Sequence, residues 1–511
     1  MIGALQGMPR HPALITISVT LASLLYSIDW TIAAVALPHM QGTFSATQDQ
    51  IGWIITSYIV ASAIAMPTCG WLSTRYGRKR VFLWALAGFL IASIFCGAAS
   101  SLEMEVLSRV AQGMSGAFLI PLSHAIILDT YPPHEQTKAM ALWGTGSVMG
   151  SFIGPTLGGY ITEYTSWQYV FYLNLPFGLL ALFGVAAFVP ETKRDPTHPL
   201  DWLGFLTLAI GIGALQLMLD RGGREDWFES TEIIIEASLA VLGLYMFAVH
   251  SLTTKTPFLD PRLFVERSFF IGLLFVFLYG LITVPPIVLM PPFLQDIRGY
   301  PIDTIGLLQA PRGFGLLFSM IVGGRLTGRV DSRLLIFLGL MCISLAGMEM
   351  STWNDDVGTW PLVWTNFVQG AGGGIILVPI QAIAFPNLPP HRRTEATAVF
   401  NLVRSVGASI GVSAALGLFV HGTGVSRAQL TEHVTRYSET LRYAADAASW
   451  NMSSIAGLAS IERSIDHQAA LVGYTNDFWL LSMAALAGIP LLLFLGRQRH
   501  IADPLDPPEA A

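Results

Sequence analysis

Charge is the scarcest commodity in this sequence. Asp, Glu, Lys and Arg make up 12% of the 511 residues, against 53% hydrophobic residues, whereas soluble domains carry about 25% charged residues. So few charges cannot cover the surface of a soluble molecule, and the apolar excess requires a lipid solvent. Cysteine is also rare. Cys69, Cys96 and Cys342 each lie inside an apolar stretch, with no metal-ligand spacing and no evident pairing, which leaves them as small buried hydrophobes. No long basic run is present, so a nucleic-acid partner has no support. No Gly-x-x-x-x-Gly-Lys loop is present, so ATP is not the expected energy source and no cofactor is implied. No cluster of His and acidic residues gathers at one membrane face, which disfavours a membrane-embedded enzyme. The first apolar run is too long for a cleaved signal peptide and is followed by no small-residue cleavage site, so it reads as the first span.

What the sequence has in quantity is long apolar runs. A spanning helix needs about 20 apolar residues. Fourteen segments qualify: 13–38, 51–71, 81–99, 104–129, 139–162, 168–189, 202–219, 232–252, 269–293, 303–326, 334–351, 361–386, 395–420 and 476–496. The seventh is short and the eighth carries Glu236, so twelve is the competing count. With fourteen, both termini share one side. That side then holds Arg75, Arg78, Lys79, Arg80, Lys138, Lys193, Arg194, Arg392 and Arg393, and the short loops opposite hold only Arg221, Arg224 and Arg298. The bias predicts a cytoplasmic location for both termini.

The chain repeats itself at an offset of 257 residues. Pro132-Pro133-His134 has its partner in Pro389-Pro390-His391, Gln112-Gly113 in Gln369-Gly370, Gly116 in Gly373, and Gly150 and Gly154 in Gly407 and Gly411. No gap separates these anchors. Two similar helical halves, related as parallel repeats, build transporters that rock around a central site. Six spans per half account for twelve. The expected organisation is a six-helix bundle over 1–200, two accessory helices over 201–260, and a second six-helix bundle over 261–511 that includes an outer segment at 421–475.

Local motifs narrow the class. Gly70-Trp71-Leu72-Ser73-Thr74-Arg75-Tyr76-Gly77-Arg78-Lys79-Arg80 follows the second span, and a degenerate copy, Gly324-Arg325-Leu326-Thr327-Gly328-Arg329, follows the tenth. Arg109-Val110-Ala111-Gln112-Gly113 lies in the fourth span. Gly150-Ser151-Phe152-Ile153-Gly154-Pro155-Thr156-Leu157-Gly158-Gly159 lies in the fifth, and Asp29-Trp30-Thr31 through Leu37-Pro38 in the first. Together these resemble the signatures of the major facilitator superfamily, and within it the fourteen-span drug:proton antiporters of EmrB/QacA type. Trp167 with Asn174-Leu175-Pro176, and Leu219-Asp220-Arg221-Gly222 with Asp226-Trp227-Phe228, resemble the EmrB-like subgroup. The resemblance implies an all-α major facilitator fold in a bacterial inner membrane. It implies proton-coupled multidrug efflux by alternating access, with a periplasmic adaptor and an outer-membrane channel as partners. It also implies a gating role for Gly70, Arg75, Gly77, Arg78 and Lys79, as a latch between spans two and eleven. Thr74 departs from the pattern, which usually has an acid there, and so puts a gating salt bridge from that position in doubt.

The residues carry their own reading. Gly150, Gly154 and Gly158 recur every four residues on one helix face, which lets two helices approach closely, and Pro155 favours a bend. Either ordinary packing or a proton-tight seal between the halves would use such a stripe. Ionisable groups within spans cost about 2.5–3.5 kcal/mol each on insertion scales, yet Asp29, Arg109, Arg312, Arg404 and His124 sit at such depths. Asp29 and Arg109 fall within about one helical turn of each other in depth, so they are candidates for proton coupling, or for a static ion pair. Arg312 and Arg404, with Gln112, Gln381 and His124, are candidate cavity residues. Either arginine could instead satisfy carbonyls at a helix bend, and His124 could be a bonded core histidine. Pro285-Pro286 and Pro291-Pro292 should break the ninth span beside the cavity. Leu430, Val434, Tyr437 and Leu441 recur at helical spacing and predict an amphipathic helix in the outer segment, as an adaptor dock or a lid. The expected function is proton-driven export of hydrophobic small molecules. The alternatives are a dedicated exporter of one metabolite, such as a fatty acid or siderophore, and a passive facilitator.

Overall fold

The computed structural model describes residues 11–197, 199–386, 388–434 and 454–495. Among them the only regular structure is helical. The first half contains α1 (Pro12–Phe44), α2 (Gln48–Ala65), α3 (Thr68–Tyr76), α4 (Arg78–Gly97), α5 (Leu102–Gly116), α6 (Leu119–Thr130), α7 (Pro133–Tyr164), α8 (Gln168–Tyr172) and α9 (Asn174–Phe188). Then follow α10 (Trp202–Arg221) and α11 (Thr231–Thr253). The second half contains α12 (Arg262–Val265), α13 (Arg267–Thr283), α14 (Pro285–Pro292), α15 (Ile302–Leu326), α16 (Ser332–Met350), α17 (Thr359–Ala384), α18 (Arg393–His433) and α19 (Ile455–Ala487).

Local sequence explains the boundaries. Thr47 and Gln50 form a reciprocal capping box at the start of α2. Ser101 and Asp201 cap α5 and α10 with their side chains. Pro67 sits at the 55° bend between α2 and α3. The proline pairs divide the ninth span into α13, α14 and a π turn over Phe293–Ile297. Pro155, by contrast, is carried inside an unbroken α7.

Twelve of the described helices are long and apolar enough to cross a membrane, or thirteen when the bent α2–α3 pair counts as one span. The remaining predicted span is α7, whose 32 residues would reach about 48 Å at 1.5 Å per residue. Glycine and polar side chains dilute it because it is packed on both sides by α1 and α15. This layout is compatible with fourteen crossings. The His11 ring meets Phe188, and Arg267 and Arg333 reach the carbonyls of Phe494 and Leu495, so the first and last described helices start and finish at the same face. Arg75, Arg78, Arg80, Arg194, Arg392 and Arg393 lie at that face, here called the basic end.

Close backbone approach builds both halves alike. A Cβ on Gly150, Gly154 or Gly158 of α7 would strike Leu24, Ile28, Thr31 or Ile32 of α1. At the repeat positions, Gly407 and Gly411 of α18 meet the Phe277 and Leu281 carbonyls of α13. The glycine stripe therefore seals α7 onto α1 within the first half, and not across the halves as a leak-proof seal would require. The cross-half contacts of α7 use another face, with Gly144 on Met320 and Phe152 on Gly313. Gly159 has only Val35 near it, at 4.0 Å.

The accessory pair packs through Gly211 and Gly243. It sits outside the halves and touches both. Asp220 accepts from Thr56 of α2, and Gln216 donates to Ser409 of α18 at 2.7 Å. Glu236 pairs with Arg221 (3.6 Å) at the end opposite the basic one, so it is not a mid-depth charge. The predicted outer segment also departs from expectation in its described parts. α18 runs for 41 residues to His433 and α19 begins at Ile455, so the two spans continue outward as an antiparallel pair tied by Arg427 to Glu462 (3.0 Å) and Asp466 (2.8 Å). Leu430 lies on that extension, while residues 435–442 of the predicted amphipathic helix lie outside the described residues.

Candidate functional site

The interior of the first half holds a polar network without solvent access. Asp29 of α1 and Arg109 of α5 are both 0% exposed, and Arg109 Nη1 donates to Asp29 Oδ2 at 2.8 Å. Gln112 Nε2 and Asn174 Nδ2 each donate to Asp29 Oδ1 at 2.8 Å. Arg109 also donates to Gln112 Oε1 (2.6 Å) and to the Ile54 carbonyl (3.3 Å), and lies 4.1 Å from the centroid of the Tyr58 ring. Ser93 closes the ring, accepting from Gln112 (3.3 Å) and Asn174 (3.0 Å) and donating to the Phe171 carbonyl (2.9 Å). Three donors converge on one carboxylate, and burial makes each charge-assisted bond stronger.

Helix geometry brings these groups together. Glu105, Arg109 and Gln112 fall at i, i+4 and i+7 of α5 and share its inner face. The start of α9 delivers Asn174. Gly113 has no Cβ because the Tyr58 carbonyl occupies that space, so α5 and α2 touch at the depth of the ion pair. Sequence reasoning had no place for Glu105, Ser93 or Asn174 in this site. The i, i+4 spacing of Glu105 and Arg109 was the available signal for the first.

The basic end is latched. Arg78 pairs with Asp129 of α6, and its Nε donates to Thr394 of α18 at 2.6 Å. Arg393 of α18 reaches the same carboxylate (2.8 Å) and the Leu128 carbonyl (2.9 Å), and Thr397 donates to the Pro121 carbonyl (3.0 Å). These hydrogen bonds tie the first half to α18 of the second half at this end. Gly70 permits it, because a Cβ there would press on Glu395 of α18. Gly77 has φ +92°, a conformation that favours glycine, and turns the chain between α3 and α4. Arg75 stacks on Trp71 (5.4 Å) and Tyr76 (5.8 Å). Lys79 is half-buried beside Arg78. Thr74 bonds its own helix, and the acid of the latch is Asp129, which lies outside the 70–80 motif. The far side of the latch is α18, the thirteenth predicted span and the eleventh when the accessory pair is set aside.

The candidate cavity residues do not gather in one place. His124 is buried between Trp143, Phe385 and Phe400 (ring centroids 5.2, 4.6 and 6.1 Å), and neither ring nitrogen has a hydrogen-bond partner among the described residues. It belongs to the closed seam and is not the bonded core histidine that was one expectation. Arg312 donates to the Thr283 carbonyl at 2.8 Å, where α13 gives way to α14, so it satisfies a carbonyl at a helix break. Gln381 is buried, and its Oε1 has no partner among the described residues. Arg404 is half-buried on α18, with no carboxylate partner among the described residues.

Residues 19–412 match the Major Facilitator Superfamily. The chain belongs to that superfamily. It is 33% identical over 485 residues to the multidrug export protein EmrB of Haemophilus influenzae, covering 94% of this chain and 95% of that one. It is 33% identical to EmrB of Escherichia coli (94% of each) and 32% identical to the fatty acid resistance protein FarB of Neisseria gonorrhoeae (94% and 95%). The fold matches the human organic anion transporter MFSD10 at a TM-score of 0.60 and 15% identity, covering 93% of this chain and 99% of that one. It matches the xylose symporter XylE, as a double Trp mutant, at 0.62 and 13% identity (96% and 97%). The chain is thus a multi-pass membrane transporter of the EmrB-like kind, and not an enzyme.

Proposed function

We propose that the protein is a proton-coupled exporter of hydrophobic small molecules, working by alternating access in a bacterial inner membrane. The observation that carries this reading is the buried Asp29–Arg109–Gln112–Asn174 network. A charge pair wholly enclosed in a membrane bundle is costly, and such groups mark ion pathways. When the halves rock and Arg109 withdraws, Asp29 loses its strongest donor and takes up a proton; when Arg109 returns, the proton leaves. The names of the EmrB relatives support a multidrug substrate range.

The basic end faces the cytoplasm, as do both termini, so the latched conformation is closed toward the cytoplasm. Arg78, Asp129 and Arg393 hold that state, and their separation admits substrate from the inner side. A periplasmic adaptor and an outer-membrane channel complete the path, and membrane lipid surrounds the helices. Nucleic acid has no role.

The test is Nile red efflux from reconstituted vesicles, with and without an imposed pH gradient, for wild type and Asp29→Asn. Gradient-driven efflux is expected in wild type and lost in the variant. Wild-type efflux that ignores the gradient excludes proton antiport. A second reading, export of one amphipathic acid, is favoured by Arg404, a mid-depth cation without a carboxylate partner among the described residues. Under it, a fatty acid would displace Nile red in wild type and fail to do so in Arg404→Gln.

A further inference from the structure

Asp29 is not the sole carboxyl beside Arg109. Glu105 lies one turn earlier on α5, is 0% exposed, and neither of its oxygens has a hydrogen-bond partner among the described residues. The groups that face it are few. Arg109 stands on its own helix, the Cys96 thiol approaches from α4, and Asp29 of α1 lies beyond them. The thiol donates to Gln112 Oε1 (3.5 Å) and is the one weak donor beside Glu105 among the described residues. From α2, Tyr58 lies against the Arg109 guanidinium. The groove on the other face of α5, lined by Met104, Leu107 and Ser108, opens toward lipid and brings no charge to it.

Burying a carboxylate with no donor stronger than a thiol is far costlier than burying the neutral acid. Glu105, buried without a strong donor, therefore carries its proton in this conformation, whereas Asp29 has three donors around it. Arg109 also has a donor to offer, because its Nη2 is buried without a partner among the described residues. Position completes the argument. α5 starts at Leu102, at the end away from the latch, so Glu105 lies about 4.5 Å along the helix and Arg109 about 6 Å deeper. The first turn of a helix favours negative charge, so Glu105 can ionise once Arg109 turns to it.

We propose that Glu105 is a second proton-carrying carboxyl, placed between the outer surface and Asp29, which exchanges Arg109 with it. The proposal rests on the antiport reading above and specifies its proton path. In the exchange, the O–H bond of Glu105 breaks and the proton forms an O–H bond on Asp29. Arg109 keeps its own protons and moves its ion pair from Asp29 to Glu105. One anion, one cation and one neutral acid are present before and after, so no net charge is created at depth. Glu105 is then reprotonated from the outer side.

The experiment uses the full chain in lipid, with wild type, Glu105→Gln, Glu105→Asp and Asp29→Asn. Infrared spectroscopy reads the protonated carboxyl as a C=O stretching band. One component of that band is expected in wild type and missing in Glu105→Gln, whose thermal stability should match wild type because the amide replaces a neutral acid. Nile red efflux under an outside-acid gradient should fall at least tenfold in Glu105→Gln, with Nile red binding unchanged, and recover in Glu105→Asp. A band unchanged between wild type and Glu105→Gln overturns the proposal. So does a Glu105→Gln variant that keeps full gradient-driven efflux while Asp29→Asn loses it, which leaves the antiport reading standing. A wild type indifferent to the gradient overturns both.

Discussion

The two halves share a framework and differ in charge. Stepping 257 residues from the buried network gives Asn366 for Arg109, Gln369 for Gln112, Leu362 for Glu105 and Pro286 for Asp29. In the second half, Asn366 donates to the Leu362 carbonyl of its own helix at 2.8 Å, and the Gln369 side-chain oxygen has no partner among the described residues. The glycine contacts that seat α7 on α1 are reproduced where α18 meets α13. Duplication thus preserved the packing, which every helical bundle needs, and left the ionisable cluster in one copy. Packing is constrained by sterics throughout the fold, whereas one pair that can be protonated is enough to couple a rocking motion to a gradient.

The contrast is most exposed to test at its centre. Arg109→Ala should cost about 3–5 kcal/mol in an unfolding titration in detergent, because it strands a buried carboxylate. The double variant Asp29→Asn/Arg109→Ala should regain most of that loss. Its counterpart, Asn366→Ala, should cost about 1 kcal/mol, the scale of one hydrogen bond, and an equal cost at both positions would erase the difference between the halves. Gly150→Val and Gly407→Val test the shared framework. Each should destabilise by about 1–3 kcal/mol through overpacking, and a large effect at one with none at the other would refute equivalence. At the latch, Asp129→Asn should shift the population of the closed basic end about tenfold, or about 1.4 kcal/mol. Spin-label distances between the start of α4 and the start of α18 would read that shift, and unchanged distances would deny the latch its part in holding the state. The smallest effect is expected at Gln369→Ala, where stability should change by less than about 0.5 kcal/mol, against about 1 kcal/mol for Gln112→Ala.

Much of this was legible in the chain. Apolar length located twelve or thirteen of the spans. Depth arithmetic put Asp29 and Arg109 at one level, where the structure has them 2.8 Å apart. Other features were not legible. Asp129 is an ordinary acid near a helix end until α4 and α18 both turn an arginine toward it. Glu105 lies in the first turn of a span, where a carboxylate reads as an exposed cap until α4 covers it. The glycine stripe announced a close approach without naming the neighbour. The outer segment looked soluble because charges dilute its apolar residues, although α18 and α19 carry their helices straight into it.

The sequence by itself determined that the chain lives in lipid, that it is helical, that it is duplicated, and that few charges are kept at depth. Each of these follows from composition or from spacing along one chain. The tertiary structure alone decided which charges meet, that the arginine of α5 serves one carboxyl and leaves another bare, and that α18 closes the basic end. Helical periodicity specifies which face of a helix is small or polar. Which neighbour that face meets is set by how all the helices pack at once.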